Sequence, residues 1–211
     1  MPERAAFFID AGFLKAEGAK RLGISPARCR IDAVAAVAFL RSLSSDEWGL
    51  EFLRAYWYDG RFPPDDPRSP SQQRYLDAIG LTPGLTIRLG TVKQVTPAWL
   101  HALRAALART GIDLDGLGVR MGPVDVQKGV DALLILDLVR LAQKRAFALA
   151  ALVAGDRDFL EAVRTVQDEG CRVVLMHPVG AGIDPELRRT VDAVQPLDEA
   201  ELRRFMSATR P

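Results

Sequence analysis

The chain has 211 residues, 48% of them hydrophobic and 26% charged, enough length and apolar content for a core that needs no disulfide or metal staple. Its 28 Lys and Arg against 27 Asp and Glu leave a formal charge of +1. That balance excludes a whole-molecule cationic field, so any nucleic-acid contact must come from a local patch.

Five segments read as buried strands: 5–9, 52–58, Leu85–Val95, 148–154 and 171–176. Each is a short apolar or alternating run closed by a turn, bulge or break signal such as Asp59-Gly60, Gly90, Gly155 or Pro178, the pattern of strands in a largely parallel sheet. Helical periodicity falls at 31–43, 71–79, 98–108, 130–144, 158–167 and 198–207. The clearest of these is 130–144, where Leu133, Leu134, Leu136, Leu138, Val139 and Leu141 give a wide apolar face. Gly170 is placed to follow the end of the 158–167 helix. Residues 59–70, with four prolines, read as a long exposed loop, and the Gly-rich 111–127 stretch as a place for a short edge strand. The alternation of strand and helix predicts an α/β fold with a mainly parallel sheet. One domain over 1–185, with residues 186–211 as a helical extension of it, is the simplest organisation.

In an open α/β sheet, ligands bind outside the carboxyl ends of the strands. The first strand delivers Asp10 there and the fourth delivers Asp156, with Asp158 two residues on. The strong helix opens with Lys128-Gly129-Val130-Asp131, placing Asp131 in its first turn. Carboxylates sharing one cleft repel, and a hard divalent ion with oxygen ligands, Mg²⁺ or Mn²⁺, relieves the conflict. Such a site can hold a phosphodiester and activate water. Each aspartate also has a structural alternative. Asp158 with Glu161 has the spacing of a capping box, Asp10 before Gly12 suits a turn, and Asp131 suits a helix first turn. Lys128 is a candidate for holding a phosphate or for solvent exposure. Tyr58, with Trp57 and Phe62, is a candidate for stacking on bases or for the core.

Competing motifs are absent: there is no phosphate-loop GxxxxGK[ST], no GxSxG elbow and no complete dinucleotide fingerprint. The lone thiols Cys29 and Cys171, with only His101 and His177 as histidines, leave no zinc cluster and suggest a reducing compartment. The apolar run after Met1 is too short for a secretory segment, and none approaches the ~20 residues of a membrane helix. A cytoplasmic location and no membrane contact are therefore expected.

Phe7-Phe8-Ile9-Asp10, Tyr56-Trp57-Tyr58-Asp59, Lys128-Gly129-Val130-Asp131 with Asp137, the run 152–159 (LVAGDRDF) and Gly170-Cys171-Arg172-Val173 together resemble, in order and spacing, the NYN domain family of the PIN-like nuclease superfamily, and its LabA-like branch in particular. The resemblance spans roughly residues 5–179. It implies a Rossmann-like, PIN-type three-layer sandwich and Mg²⁺- or Mn²⁺-dependent ribonuclease activity. Asp10, Asp131, Asp156 and Asp158 carry over as the metal-binding and catalytic acids. Two positions depart from the pattern: Phe13 stands where many members have Asn, and Ala154 where Ser is common.

The leading expectation is a metal-dependent endoribonuclease acting on single-stranded or structured RNA, with a homodimer left open. The alternative is an RNA-binding or regulatory adaptor on the same fold, motivated by Phe13 and the near-zero charge. A phosphatase of the haloacid-dehalogenase type ranks below both, because Gly12 occupies the place of that pattern's second aspartate.

Overall fold

Strand and helix alternate along the chain as the sequence predicts. The computed structural model describes residues 3–95, 102, 106, 107, 109 and 124–209. Within them the elements are β1 (Arg4–Asp10), α1 (Ala11–Arg21), β2 (Cys29–Ile31), α2 (Ala33–Ser42), β3 (Glu51–Arg61), α3 (Ser69–Gly80), β4 (Leu85–Val95), β5 (Val124–Lys128), α4 (Val130–Gln143), β6 (Leu149–Val153), α5 (Leu160–Asp168), β7 (Arg172–Pro178), α6 (Pro185–Thr190), β8 (Ala193–Leu197), α7 (Glu199–Arg203) and β9 (Met206–Ala208). The helix expected over 98–108 lies largely outside the described residues.

Seven strands form one sheet in the order β5-β4-β3-β1-β6-β7-β8. All neighbours are parallel except β5, which runs antiparallel to β4 at the edge. The short edge strand foreseen within 111–127 is β5. The sheet is buried on both faces, which is why β1 and β6 read as continuous apolar runs rather than alternating ones. One face carries Phe7, Ile9, Trp57, Val153 and Met176 under α1, α2 and α3. The other carries Phe8, Tyr58, Leu152 and Leu175 under α4 and α5, with Leu134 and Leu138 of α4 fully buried against it. Each such leucine contributes roughly 1.5–3 kcal/mol by leaving water. The result is the three-layer, PIN-like sandwich.

The chain beyond residue 185 is only partly helical. It supplies β8 to the central sheet, and the helix expected over 198–207 stops at Arg203 so that β9 can pair with β2. The Asp198–Glu201 capping box starts α7, and Leu202, Phe205 and Met206 then turn into the core, which an uninterrupted helix would not allow. No described helix is long and apolar enough to cross a membrane.

Candidate functional site

Strand β1 lies between β3 and β6, and the chain departs from it to one side before returning on the other. Its carboxyl end is therefore the topological switch point, where side chains from different elements meet in a crevice.

Asp10 is the last residue of β1. Its Oδ1 accepts the Phe13 N–H at 3.1 Å and so caps α1. Asp10 is thus a helix cap rather than the turn residue its place before Gly12 suggests, and its second oxygen is free of that duty. Burial, reinforced by the charges of Asp131 and Asp156, pushes its carboxyl up to about 6. Two elements from distant parts of the chain therefore face it within electrostatic reach.

Asp131 is brought to this edge by an abrupt turn. Gly129 adopts φ 79°, a left-handed conformation that costs glycine little, and β5 passes at once into α4. Asp131 falls in the first turn of that helix. Burial raises its carboxyl too, followed by the charges of Asp156 and Asp158.

Asp156 stands three residues beyond the end of β6 and precedes the tight turn Arg157–Phe159 in an extended conformation. Neither that turn nor α5 is closed by a side-chain cap, so the capping-box alternative for Asp158 is not realised. Both aspartates are exposed. The charges of Asp131 and Asp156 thus reach Asp10, and those of Asp156 and Asp158 reach Asp131. Among the described residues, no group of three His, Cys, Asp or Glu side chains is drawn close enough to hold a metal ion as it stands.

Tyr58 does not belong to this edge. It has no exposed surface, and its hydroxyl donates to Asp137 Oδ2 at 3.1 Å, the oxygen that also receives Arg88 Nε at 3.0 Å. Although Tyr58 pairs with Asp10 in register, its ring is enclosed between the sheet and α4 and offers no face to a base. The expectation that it binds substrate is corrected to a core tether between β3, β4 and α4. Lys128, at the end of β5 opposite Thr91, is exposed three residues before Asp131. Phe62 is stacked under Arg68, whose guanidinium carbon lies 4.0 Å from the ring centre.

At the end of the second predicted strand, Asp59 meets Gln127, a residue that no strand end marks. Asp59, of β3, accepts the Gly60 N–H at 2.8 Å and the side-chain amide of Gln127, of β5, at 3.3 Å. Burial raises the Asp59 carboxyl, offset by those hydrogen bonds and by the charge of Lys15. The pair exists only because β5 runs antiparallel to β4 and returns Gln127 toward β3. No local signal in the Gly-rich stretch announces this.

Comparison with known proteins bears on the same elements. The family model of the NYN domain matches residues 25–198, a span that includes Asp131, Asp156 and Asp158 and begins after Asp10. An uncharacterized protein, y4oD, of Sinorhizobium fredii (strain NBRC 101917 / NGR234) is 35% identical over 100 residues, 45% of this chain and 47% of that protein. The matched region thus spans about half the length of this curated relative. The crystal structure of a protein of unknown function, VPA0982, from Vibrio parahaemolyticus RIMD 2210633 superposes with a TM-score of 0.56 at 16% identity, over 98% of this chain and 97% of that one, a likeness of fold. With its family model covering most of the chain, from before β2 to the start of α7, this protein belongs to the NYN domain family, within the PIN-like nuclease superfamily.

Proposed function

We propose that this chain, a LabA-like member of the family, is a Mg²⁺- or Mn²⁺-dependent endoribonuclease whose acids are Asp10, Asp131, Asp156 and Asp158. The observation that carries this reading is that Asp131 and Asp156, from two other parts of the chain, lie within electrostatic reach of Asp10 at the switch point beside β1. Burial beside like charges raises the affinity of Asp10 and Asp131 for protons, and the same surroundings favour a hard cation. The donor set fits such an ion, since every member offers only carboxylate oxygen. Asp10, Asp131 and Asp156 would hold it, with Asp158 contributing directly or through water. A bound ion of this kind supplies charge stabilisation at the phosphate and a more acidic water. The chain itself supplies fixed positions: Asp10 is locked by its hydrogen bond to Phe13, and Asp131 by the first turn of α4. Lys128 stands at the same edge as a cation for the phosphate backbone.

The test is cleavage of a labelled single-stranded RNA under Mn²⁺, in the cytoplasm-like reducing conditions the free thiols suit. Asp156→Asn abolishes cleavage and leaves the circular dichroism spectrum unchanged. Equal cleavage by wild type and variant would falsify the assignment. A second reading, an RNA-binding adaptor, draws on one feature. The apolar ring of Phe13 packs over Gly155, next to Asp156, so an apolar group borders the acids. It predicts RNA binding with no metal-dependent turnover.

A further inference from the structure

Gln127 lies across the carboxyl edge of the sheet in a channel made by two glycines. A Cβ on Gly60 would stand 2.9 Å from Gln127 Cγ and 3.2 Å from its Cδ, and a Cβ on Gly12 would stand 3.4 Å from Nε2 and 3.5 Å from Oε1. The same Gly12 position is 3.3 Å from Asp10 Oδ1, so the Gln127 amide and the Asp10 carboxylate border one small space. The amide nitrogen is committed to Asp59 Oδ1, which also takes the Gly60 N–H. Among the described residues, Gln127 Oε1 and Asp59 Oδ2 have no hydrogen-bond donor. Two acceptor oxygens are thereby held beside the acid site by a bond that fixes which way the amide faces.

We infer that Gln127, oriented by Asp59, is the specificity-determining residue that accepts a hydrogen bond from a ribose 2′-hydroxyl of the bound strand. This rests on the ribonuclease reading for its placement of the phosphate. A 2′-oxygen lies only a few bonds from the 3′-phosphorus, so a phosphate held at Asp10 brings that hydroxyl close to the Gln127 amide, whereas the edge of a base projects farther away. Bonding a substrate hydroxyl favours it over the analogue lacking it, by a modest factor here because Gln127 is exposed and water can serve its acceptor in the analogue's complex. Deoxyribose is that analogue. Asp59 acts through Gln127 and is a positioning residue.

The experiment uses the full chain and fluorescence anisotropy in Ca²⁺, with a labelled single-stranded RNA, the DNA of the same sequence, and chimeras carrying one 2′-deoxy nucleotide at successive positions. Wild type is expected to favour RNA by about tenfold, with the loss concentrated at one chimeric position. Gln127→Ala removes most of that preference and leaves DNA affinity unchanged, and Asp59→Asn weakens it. Gln127 is exposed and Asp59→Asn is close in shape, so both variants are expected to fold, as thermal melts will show. Equal binding of RNA and DNA by wild type, binding of neither, or a preference that survives in Gln127→Ala overturns the inference. Discrimination in binding without any cleavage under Mn²⁺ would retire the hydrolytic reading and leave Gln127 standing. Cleavage of RNA and DNA at equal rates with equal affinities would do the reverse.

Discussion

The ring of Phe13 packs directly onto the backbone of Gly155. A Cβ built on Gly155 would stand 2.6 Å from Phe13 Cε2 and 2.8 Å from the carbonyl oxygen of Gly182. The first turn of α1 and the segment just after β6 therefore meet with no room for a methyl group, one residue before Asp156. The Asp184 N–H donates to the Gly155 carbonyl at 2.9 Å, which holds the segment from its other side.

Gly155→Ala is accordingly expected to destabilise the fold by about 1–3 kcal/mol, the usual cost of forcing extra volume into a packed site. Urea denaturation measures it. An unchanged midpoint would mean that Phe13 swings away without cost.

Asp10→Asn is expected to stabilise the protein at neutral pH. The folded-state carboxyl titrates near 6, against 3.8 when unperturbed. Below 3.8 both folded and unfolded chains hold the proton and the group contributes nothing. Between 3.8 and about 6 the unfolded chain releases its proton first, so stability falls as pH rises, and above 6 the full penalty stands. Asparagine carries no charge and caps helices as well as aspartate does. The expected gain at pH 7 is about 1–3 kcal/mol after allowance for solvent screening, and it vanishes near pH 3.5. Melting curves across pH for both proteins check it. An equal offset at every pH would separate the gain from this titration.

Tyr58→Phe removes the hydrogen bond to Asp137 without changing the packing. Asp137 keeps Arg88, so its charge stays partnered and the cost is about 1–2 kcal/mol. Affinity for nucleic acid should not change, because the ring is enclosed. A drop in RNA binding at unchanged stability would return Tyr58 to the substrate side.

Much of the frame was legible in the chain, for reasons that can be named. Strand β4 has the bounds its alternation predicts, and α4 differs from its predicted helix only at the last residue. Helix α1 was not foreseen, since Gly12 and Gly18 weaken its helical propensity and its apolar stripe is thin. Gly18 is there for packing: a Cβ on it would lie 2.6 Å from the Met206 side chain. Strand β8 contains Pro196 and is half-buried, so it carries neither a clean period nor an apolar run. Asp10 and Asp156 could be placed along the sheet's edge because each closes an apolar run, and Asp131 because a strongly periodic helix opens there. Asp59 and Gln127 could not be read as a pair, since their contact depends on an antiparallel return that periodicity does not encode.

The pairing of β9 with β2 joins distant parts of the chain. The Thr209 N–H donates to the Arg28 carbonyl at 2.7 Å, and the Thr209 hydroxyl reaches the same oxygen across 181 positions of sequence. During translation, β2 has no partner until β9 has left the ribosome exit tunnel, and β1 waits for β6 to cover its second edge. Nascent molecules therefore carry unpaired strand edges through most of synthesis, the period when such edges invite aggregation.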